Sequence, residues 1–347
     1  MKQSGFLIAA AVAVSLSITS GAARAEGSLS IYHWFEYIPQ ELLDKFAAKY
    51  EVEVTMDTYD SNESLLAALK AGKLGSYDVA VPGDYMVQIM ANEGLLDTID
   101  PGELAGFDNI QEQWLNVPFD MGRKHSIPYQ WGSTSFSVNR DVYQGDIDTT
   151  DILFDPPAEL AGKINMLDSQ GEVMLMASLH LGIEQCSTDR EKLKQLDTLL
   201  QTAKPSWASF GSDIAKDVLV SGDAAAGMIY NGFSAKGREE GANIEYAYPE
   251  QGHVVWMDNV VLLKDAPNRD NAIRFMDFLL EPENIAAVTN FAQYSAGVKG
   301  VEAFLDPALA AMPEANPPAD APAGTFIAVC DQATQEVYDQ LWTRLRK

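Results

Sequence analysis

The chain has 347 residues, of which 47% are hydrophobic and 21% are charged, and this composition is typical of a folded globular protein. Its formal net charge of −26 argues against nucleic-acid binding, which needs a basic surface. The acidity serves either solubility alone or the attraction of cationic ligands, and composition does not decide between the two. The four histidines and two cysteines lack the spacing of a zinc site, so we expect neither a metal nor a cofactor.

Residues 1–25 have the pattern of a secretory signal peptide. Lys2 supplies a positive charge, residues 6–16 are apolar, and Ala23-Arg24-Ala25 is a small-x-small cleavage site. No later segment approaches the roughly 18 consecutive apolar residues of a membrane span. The sequence therefore predicts a soluble periplasmic protein, and its mature chain is long enough for two domains.

The two cysteines, Cys186 and Cys330, leave two alternatives open. An exported chain enters an oxidising compartment, which permits a disulfide between them. The other alternative is a pair of buried thiols.

Strands and helices alternate along the mature chain. Strands are predicted over residues 29–34, 52–56, 78–81, 134–139, 163–167, 225–230 and 254–263. Helices are predicted over residues 39–50 and 63–71, through Met90, over 172–181, from a capping box at 188–191, and over 268–280. This alternation favours an α/β architecture with parallel sheets.

No long linker divides the chain, so two α/β lobes would have to share it by repeated crossings. We place crossings near residues 132–135 and 255–258. The predicted first lobe comprises residues 26–134 and 257–305, and the second comprises 135–256 and 306–347. A cleft between two lobes is a favoured place for a ligand.

Aromatic residues and carboxylates follow the ends of several predicted strands. These segments are Trp34-Phe35-Glu36-Tyr37, Gly83-Asp84-Tyr85, residues 168–172 and Tyr230-Asn231-Gly232, and Trp256-Met257-Asp258 adds another such pair. Ligands of open α/β sheets bind beyond the carboxyl ends of the strands. Aromatic faces attract cations, and carboxylates accept hydrogen bonds from ammonium groups. The pattern predicts a site for an organic cation with an apolar body.

Motifs in several segments occur in a recognisable order and spacing. They are residues 31–39 (IYHWFEYIP), 59–63 (YDSNE), 126–132 (SIPYQWG), 228–232 (MIYNG), and 249–252 (PEQG) followed by Trp256-Met257-Asp258. Together they resemble the periplasmic spermidine/putrescine-binding proteins of polyamine ABC importers. The resemblance implies a two-lobed type II periplasmic binding-protein fold. It also implies a polyamine ligand and an inner-membrane ABC permease complex as partners of a monomeric protein.

The resemblance also implies which residues contact the ligand. The implied aromatic walls are Trp34, Tyr37, Tyr85, Tyr230, Trp256 and Tyr294. The implied carboxylates are Glu36, Glu172 and Asp258, with Ser212 as a polar contact and Asp168 as a further acidic candidate. Phe233 stands where putrescine-preferring members carry an acidic residue, and Trp256 stands where they tend to carry phenylalanine. We therefore expect spermidine to be preferred, with putrescine close behind.

Two other classes of function stay open. A different organic cation, such as agmatine or an acetylated polyamine, would suit the same residue types, whereas a quaternary ammonium compound would need fewer carboxylates. Paired carboxylates with tryptophans also occur in secreted glycosidases, but nothing in the sequence sets two carboxyls at a catalytic separation. A serine hydrolase is disfavoured because no Gly-x-Ser-x-Gly elbow is present. We therefore expect a binding protein and no catalytic residues.

Overall fold

The computed structural model describes residues 27–59, 61–312, 314, 318 and 320–347. The predicted signal peptide lies outside the described residues, as do Asp60 and part of the Pro-rich segment 313–322. Within the described part of the chain, no helix is both long and apolar enough to cross a membrane.

The described chain alternates between strands and helices, as the sequence predicts. The strands are β1 (Ser28–Trp34), β2 (Glu53–Tyr59), β3 (Val79–Ala80), β4 (Asn116–Val117), β5 (Asp120–Met121), β6 (Ser126–Asn139), β7 (Ile164–Met166), β8 (Trp207–Phe210), β9 (Ala226–Tyr230), β10 (Ile244–Tyr246), β11 (Val254–Leu262) and β12 (Ser295–Ala296). The helices are α1 (Gln40–Tyr50), α2 (Asn62–Ala68), α3 (Asp84–Asn92), α4 (Asp151–Phe154), α5 (Gln170–Leu181), α6 (Arg190–Ala203), α7 (Ala215–Ser221), α8 (Asn231–Glu239), α9 (Arg269–Leu279), α10 (Pro282–Ala292), α11 (Pro307–Ala310) and α12 (Gln332–Leu345).

Two helix starts show how local sequence sets these boundaries. Ser61 caps α2, because its hydroxyl accepts from the Ser64 amide while the Ser64 hydroxyl accepts from the Ser61 amide. The capping box predicted at residues 188–191 is wrong in detail. Asp189, and not Thr188, is the N-cap of α6, and its carboxylate accepts from the Glu191 amide.

The sheet is mixed, which corrects the expectation of parallel sheets. Its order is β2-β1-β3-β11-β6-β9-β7-β8. Strands β1, β2 and β3 are parallel to one another, and so are β7, β8 and β9. Between these arrays lie β6 and β11, which run antiparallel to each other and to the flanking β9 and β3. The carboxyl ends of β1, β3, β7 and β9 carry the segments that the sequence singled out.

The buried apolar residues form two clusters. The first draws on residues 29–129 and 255–301, and the second on residues 136–254 and 338–345. Strands β6 and β11 contribute to both, since Tyr129 and Val255 belong to the first cluster and Phe136 and Val254 to the second. Both predicted crossings fall in these two paired strands. The division into lobes at residues 134 and 256 stays a prediction that these clusters support.

A third connection between the clusters is the C-terminal strap, residues 323–330. Its backbone pairs with β11, because the Thr325 amide donates to the His253 carbonyl over 2.9 Å. The Phe326 ring packs 5.4 Å from the Phe119 ring beside the first cluster. Cys330 is disulfide-bonded to Cys186, so of the two alternatives left open by the sequence, the disulfide is the one present.

Candidate functional site

Two carboxylates, the buried Glu172 and the half-buried Asp258, mark the ends of a row of aromatic rings between the two clusters. Glu172 lies in the first turn of α5, where the helix dipole favours a negative charge. The Thr134 hydroxyl donates to Glu172 Oε1 over 2.6 Å, and the Tyr230 hydroxyl donates to Oε2 over 3.1 Å. Burial nevertheless raises the pKa of Glu172. This carboxylate is held by neutral donors alone.

Asp258, on β11, is the carboxylate at the other end of the row. The Tyr37 hydroxyl donates to its Oδ2 atom over 3.0 Å. Burial raises the pKa of Asp258 to about 7, and the negative charge of Asp84 adds to that effect while the Tyr37 hydrogen bond opposes it. The Trp34 indole also favours the ionised form. Its N–H, however, lies outside hydrogen-bond geometry with every described acceptor.

The aromatic rings between the two carboxylates contact one another edge to face. The Trp256 ring lies 4.9 Å from the Tyr294 ring and 6.3 Å from the Tyr230 ring, measured between centroids. Tyr37 lies 6.1 Å from Tyr294. The row therefore runs from the Glu172 partner Tyr230 through Trp256 and Tyr294 to the Asp258 partner Tyr37. We call Tyr230, Trp256, Tyr294 and Tyr37 the aromatic row.

Glycines make room for two rings of the aromatic row. A Cβ atom on Gly132 would lie 2.4 Å from Cζ2 of Trp256, which is closer than real Cβ contacts. A Cβ atom on Gly232 would lie 2.5 Å from Cε1 of Tyr294. The backbone of β6 and the first turn of α8 thus approach these rings closely, and a larger residue at either glycine would displace them.

Asp84 is a third buried carboxylate beside Asp258, and the sequence analysis named it only as the neighbour of Tyr85. Its Oδ2 atom accepts from the Met257 amide over 2.9 Å, and its Oδ1 atom accepts from the Tyr85 amide over 2.6 Å. Burial raises the pKa of Asp84 to about 7 despite these bonds. An acidic residue in the first turn of a helix is common for helix stability alone, so the sequence held no specific signal for this placement.

The remaining sequence-predicted residues lie at or beyond the edge of the aromatic row. Trp34 is half-buried, with its ring 4.6 Å from Tyr59. Glu36 is exposed and adopts a left-handed backbone with φ of 50°. Its side chain is not held against the aromatic row by a hydrogen bond or an ion pair within the described residues.

Asp168 and Ser212 contact each other through the backbone. The Asp168 amide donates to the Ser212 hydroxyl over 3.1 Å. The Asp168 carboxylate is exposed and pairs with Arg346 over 3.0 Å, near the end of the chain. A cation therefore already neutralises Asp168, unlike Glu172 and Asp258. Because charged side chains at the surface are well solvated, this pair is weak and replaceable.

Charge is unbalanced at the centre of the site. None of the ion pairs found in the described residues involves Asp84, Glu172 or Asp258. A buried carboxylate without a cation carries a large desolvation cost, which a cationic ligand would relieve. The described residues contain no group of three or more metal-ligating side chains that could hold a metal ion. The arrangement suits a molecule with separated positive charges and an apolar middle.

Comparison with known proteins assigns the chain to a family. The family model described as bacterial extracellular solute-binding protein matches residues 41–318. This chain belongs to that family. Solute-binding proteins of several bacteria match it over most of their length.

Two relatives illustrate how far the similarity of this solute-binding protein extends. The spermidine/putrescine-binding periplasmic protein of Escherichia coli K12 is 33% identical over 311 residues, which cover 89% of each chain. The putrescine/cadaverine-binding protein of Pseudomonas aeruginosa PAO1 is 30% identical over 344 residues, covering 95% of this chain and 94% of the relative.

Solved structures confirm the predicted fold class of this solute-binding protein. The spermidine/putrescine ABC transporter substrate-binding protein of Streptococcus pneumoniae superposes with a TM-score of 0.85 at 28% identity, covering 92% of this chain and 98% of that one. A lipoprotein of Treponema pallidum superposes with a TM-score of 0.80 at 27% identity, covering 92% and 99% of the two chains. The α/β periplasmic binding-protein fold is therefore shown.

Proposed function

We propose that this protein binds a polyamine outside the cytoplasm and delivers it to an ABC importer of the inner membrane, with spermidine preferred over putrescine. The observation that carries the proposal is a pair of carboxylates, the buried Glu172 and the half-buried Asp258, which form no ion pair within the described residues and flank the aromatic row. The names of the relatives support it, since those of E. coli and P. aeruginosa are binding proteins for di- and triamines. Both names describe binding and none describes catalysis.

The chemistry of a polyamine matches each part of the site. Glu172 and Asp258 each bind one ammonium group through charge-assisted hydrogen bonds. The rings of the aromatic row cover the methylenes, which gain roughly 0.8 kcal/mol for each CH₂ removed from water. The rings lose little conformational entropy on binding because their contacts already hold them. In this proposal Trp34, Tyr85 and Ser212 also contact the ligand, and the acidic Glu36 and Asp168 lie at the rim of its cleft.

The preference for spermidine rests on Trp256 and Phe233. Phe233 packs 5.9 Å from Tyr230, so an apolar ring stands beside the Glu172 end of the site. An acidic residue at that position would offer a second ammonium contact at a short separation. Because Phe233 occupies this position instead of an acidic residue, that second contact is missing, and we expect a longer ligand to be favoured over a compact diamine.

Titration calorimetry of the mature protein tests this proposal. Spermidine should bind most tightly, putrescine next, and agmatine more weakly than either, whereas choline should give no heat because its single quaternary ammonium group has no N–H to donate to the carboxylates. A thermal shift should follow the same order, since a ligand that binds only the folded state raises its stability. The absence of both heat and thermal shift from every polyamine at millimolar concentration would overturn the proposal.

Polyamine affinity should depend on pH near neutrality. An ammonium group binds the ionised carboxylate, and burial raises the pKa of both Asp258 and Asp84 to about 7. Affinity should therefore rise with pH and level off above about pH 8. Below pH 7 it should fall by up to about tenfold per pH unit for each carboxyl that must lose its proton. Calorimetry between about pH 5.5 and 8.5 in buffers of different ionisation enthalpy would measure both the slope and the released protons.

The ligand-free protein should show the opposite trend in stability. Because the folded-state pKa of Asp258 is raised from its ordinary value of 3.8 to about 7, the folded state binds more protons than the unfolded state between these values. Its free energy of unfolding should consequently fall as pH rises through this window.

Asp84→Asn should move the midpoint of the pH dependence of polyamine affinity to lower pH, because it removes a negative neighbour of Asp258. A pH-independent affinity would contradict this assignment.

A further inference from the structure

A cavity of about 550 Å³ lies between Tyr85 and the start of α5, and none of the four rings of the aromatic row lines it. One wall comes from the side of the first cluster and consists of Glu63, Tyr85 and Ile89. The opposite wall includes residues 169–171, the α5 side chains Met174 and Leu175, and residues 327–330 of the C-terminal strap. The cavity thus lies between parts of the chain that pack on different clusters. Its wall at the start of α5 ends one residue before Glu172 in the sequence, at Gly171.

Among the described residues that line this cavity, Glu63 is the one with a carboxylate side chain. The Tyr85 hydroxyl donates to Glu63 Oε1 over 2.9 Å and accepts from the Asn62 amide group over 3.1 Å. These bonds fix the orientation of the Tyr85 ring and hold the Glu63 carboxylate against it. None of the ion pairs in the described part of the chain includes Glu63.

Hydrogen bonds and backbone pairing connect Glu63 to the Asp258 end of the site. Asn62 Oδ1 accepts from the Gly83 amide over 3.0 Å, and Gly83 forms an isolated β-bridge with Asp258. A Cβ atom on Gly83 would lie 3.0 Å from the Asn62 amide nitrogen and 3.7 Å from Asp258 Oδ1. One side chain therefore separates the Asp258 carboxylate from the Tyr85–Glu63 pair.

We infer that Glu63 binds the third ammonium group of a triamine and thereby selects triamines over diamines. The inference rests on the proposed function, because it assigns the two other ammonium groups to Glu172 and Asp258. A diamine satisfies those two carboxylates and leaves the cavity unused. The additional arm of a triamine places its methylenes against Ile89 and the apolar face of α5, and its ammonium group at Glu63 beneath the Tyr85 ring.

The test compares ligands that differ only in this arm, using Glu63→Gln. Glutamine retains an oxygen that accepts from the Tyr85 hydroxyl but carries no charge. Spermidine affinity should fall about five- to tenfold, as expected for the loss of one charge-assisted hydrogen bond in a partly exposed position. Putrescine affinity should change less than about twofold on the same scale. Spermidine acetylated on its aminopropyl nitrogen should bind the wild type and Glu63→Gln equally well.

Glu53→Gln is the matched control for the loss of one negative charge. Glu53 is also an exposed glutamate near the first cluster, and it begins β2, whose far end at Tyr59 faces the site. Glu53 and Tyr59 are six positions apart, which is about 20 Å along the strand. Glu53→Gln should leave both affinities unchanged, and the melting temperatures of both variants should match that of the wild type.

Several outcomes would overturn the role of Glu63. Equal losses for spermidine and putrescine would show a general field effect, and no loss for spermidine would show that the carboxylate does not contact the ligand. Wild-type protein that binds putrescine as tightly as spermidine would also contradict triamine selection. Failure of the wild type to bind any polyamine would instead reject the proposed function itself.

Discussion

Asp258→Asn is expected to weaken spermidine binding by about 2–5 kcal/mol, the usual cost of removing one partner from a buried charge pair. This corresponds to a roughly 30- to 5,000-fold higher dissociation constant. The variant keeps the shape of the side chain and an oxygen that accepts from the Tyr37 hydroxyl, so the loss isolates the charge. Calorimetric titration with spermidine at pH 8 would measure it, since the wild-type carboxyl is ionised there.

The stability of the ligand-free variant should change in the opposite direction. At pH 8 the folded protein holds Asp258 ionised in a partly desolvated position beside Asp84, which opposes folding. Asp258→Asn should therefore melt at the same temperature as the wild type or higher. Loss of affinity together with retained stability separates a ligand contact from a structural role.

Asp78→Asn provides a matched control for this experiment. Asp78 is a buried aspartate near the first cluster, and it accepts hydrogen bonds from the Ser30 and Asn268 amides. Its substitution should lower the melting temperature and leave the dissociation constant unchanged. Unchanged spermidine affinity in a folded Asp258→Asn protein would reject the assignment of Asp258 to an ammonium group.

Much of the strand and helix pattern could be read from local periodicity, whereas the sheet pairing could not. The alternation of elements predicted parallel sheets because each helix fits a crossover between parallel strands. Strands β6 and β11 instead pair antiparallel, although more than 100 residues separate Asn139 from Val254. No feature of either segment alone specifies that partner. The pairing matters for function because it places Trp256 opposite Gly132, whose lack of a side chain admits the indole ring.

The acidic residues of the candidate site also show what local sequence could not predict. Asp168 and Glu172 are four residues apart after one strand end, so their local sequence predicts the same edge of the sheet for both. In the structure Glu172 is buried against Thr134 and Tyr230, whereas Asp168 faces Arg346, which lies 178 positions away in the sequence. The first turn of helix α5 places Glu172 in the interior of the protein. Arg346, which follows helix α12, supplies the cation that pairs with Asp168 at the surface. Such contacts depend on the tertiary fold, which local pattern does not determine.

The indole of Trp256 should make the second largest contribution to binding. It is one of the two inner rings of the aromatic row, in edge contact with both Tyr230 and Tyr294. Central aromatic residues of binding sites commonly cost about 2–4 kcal/mol when truncated. Trp256→Ala should therefore weaken both spermidine and putrescine, because either ligand loses the wall that covers its methylenes. Titration of both ligands against the variant would measure the two losses.

Trp256→Phe tests whether affinity depends on the contact area of the indole or only on the presence of an aromatic ring. Phenylalanine keeps an aromatic face but covers fewer methylenes, so the longer spermidine should lose more affinity than putrescine. The ratio of spermidine to putrescine affinity should shift towards putrescine, with only a small fall in melting temperature.

Trp131→Phe is the control for loss of an indole near the same strands. Trp131 pairs with Met257 across β6 and β11, its ring packs 5.1 Å from Trp114, and its N–H donates to the Ala296 carbonyl. Its substitution should lower the melting temperature without altering the ligand ratio, because its ring belongs to the first cluster. A Trp256→Phe protein that behaves like this control, with lower stability and an unchanged ratio, would show that Trp256 is a core residue and not a wall of the site.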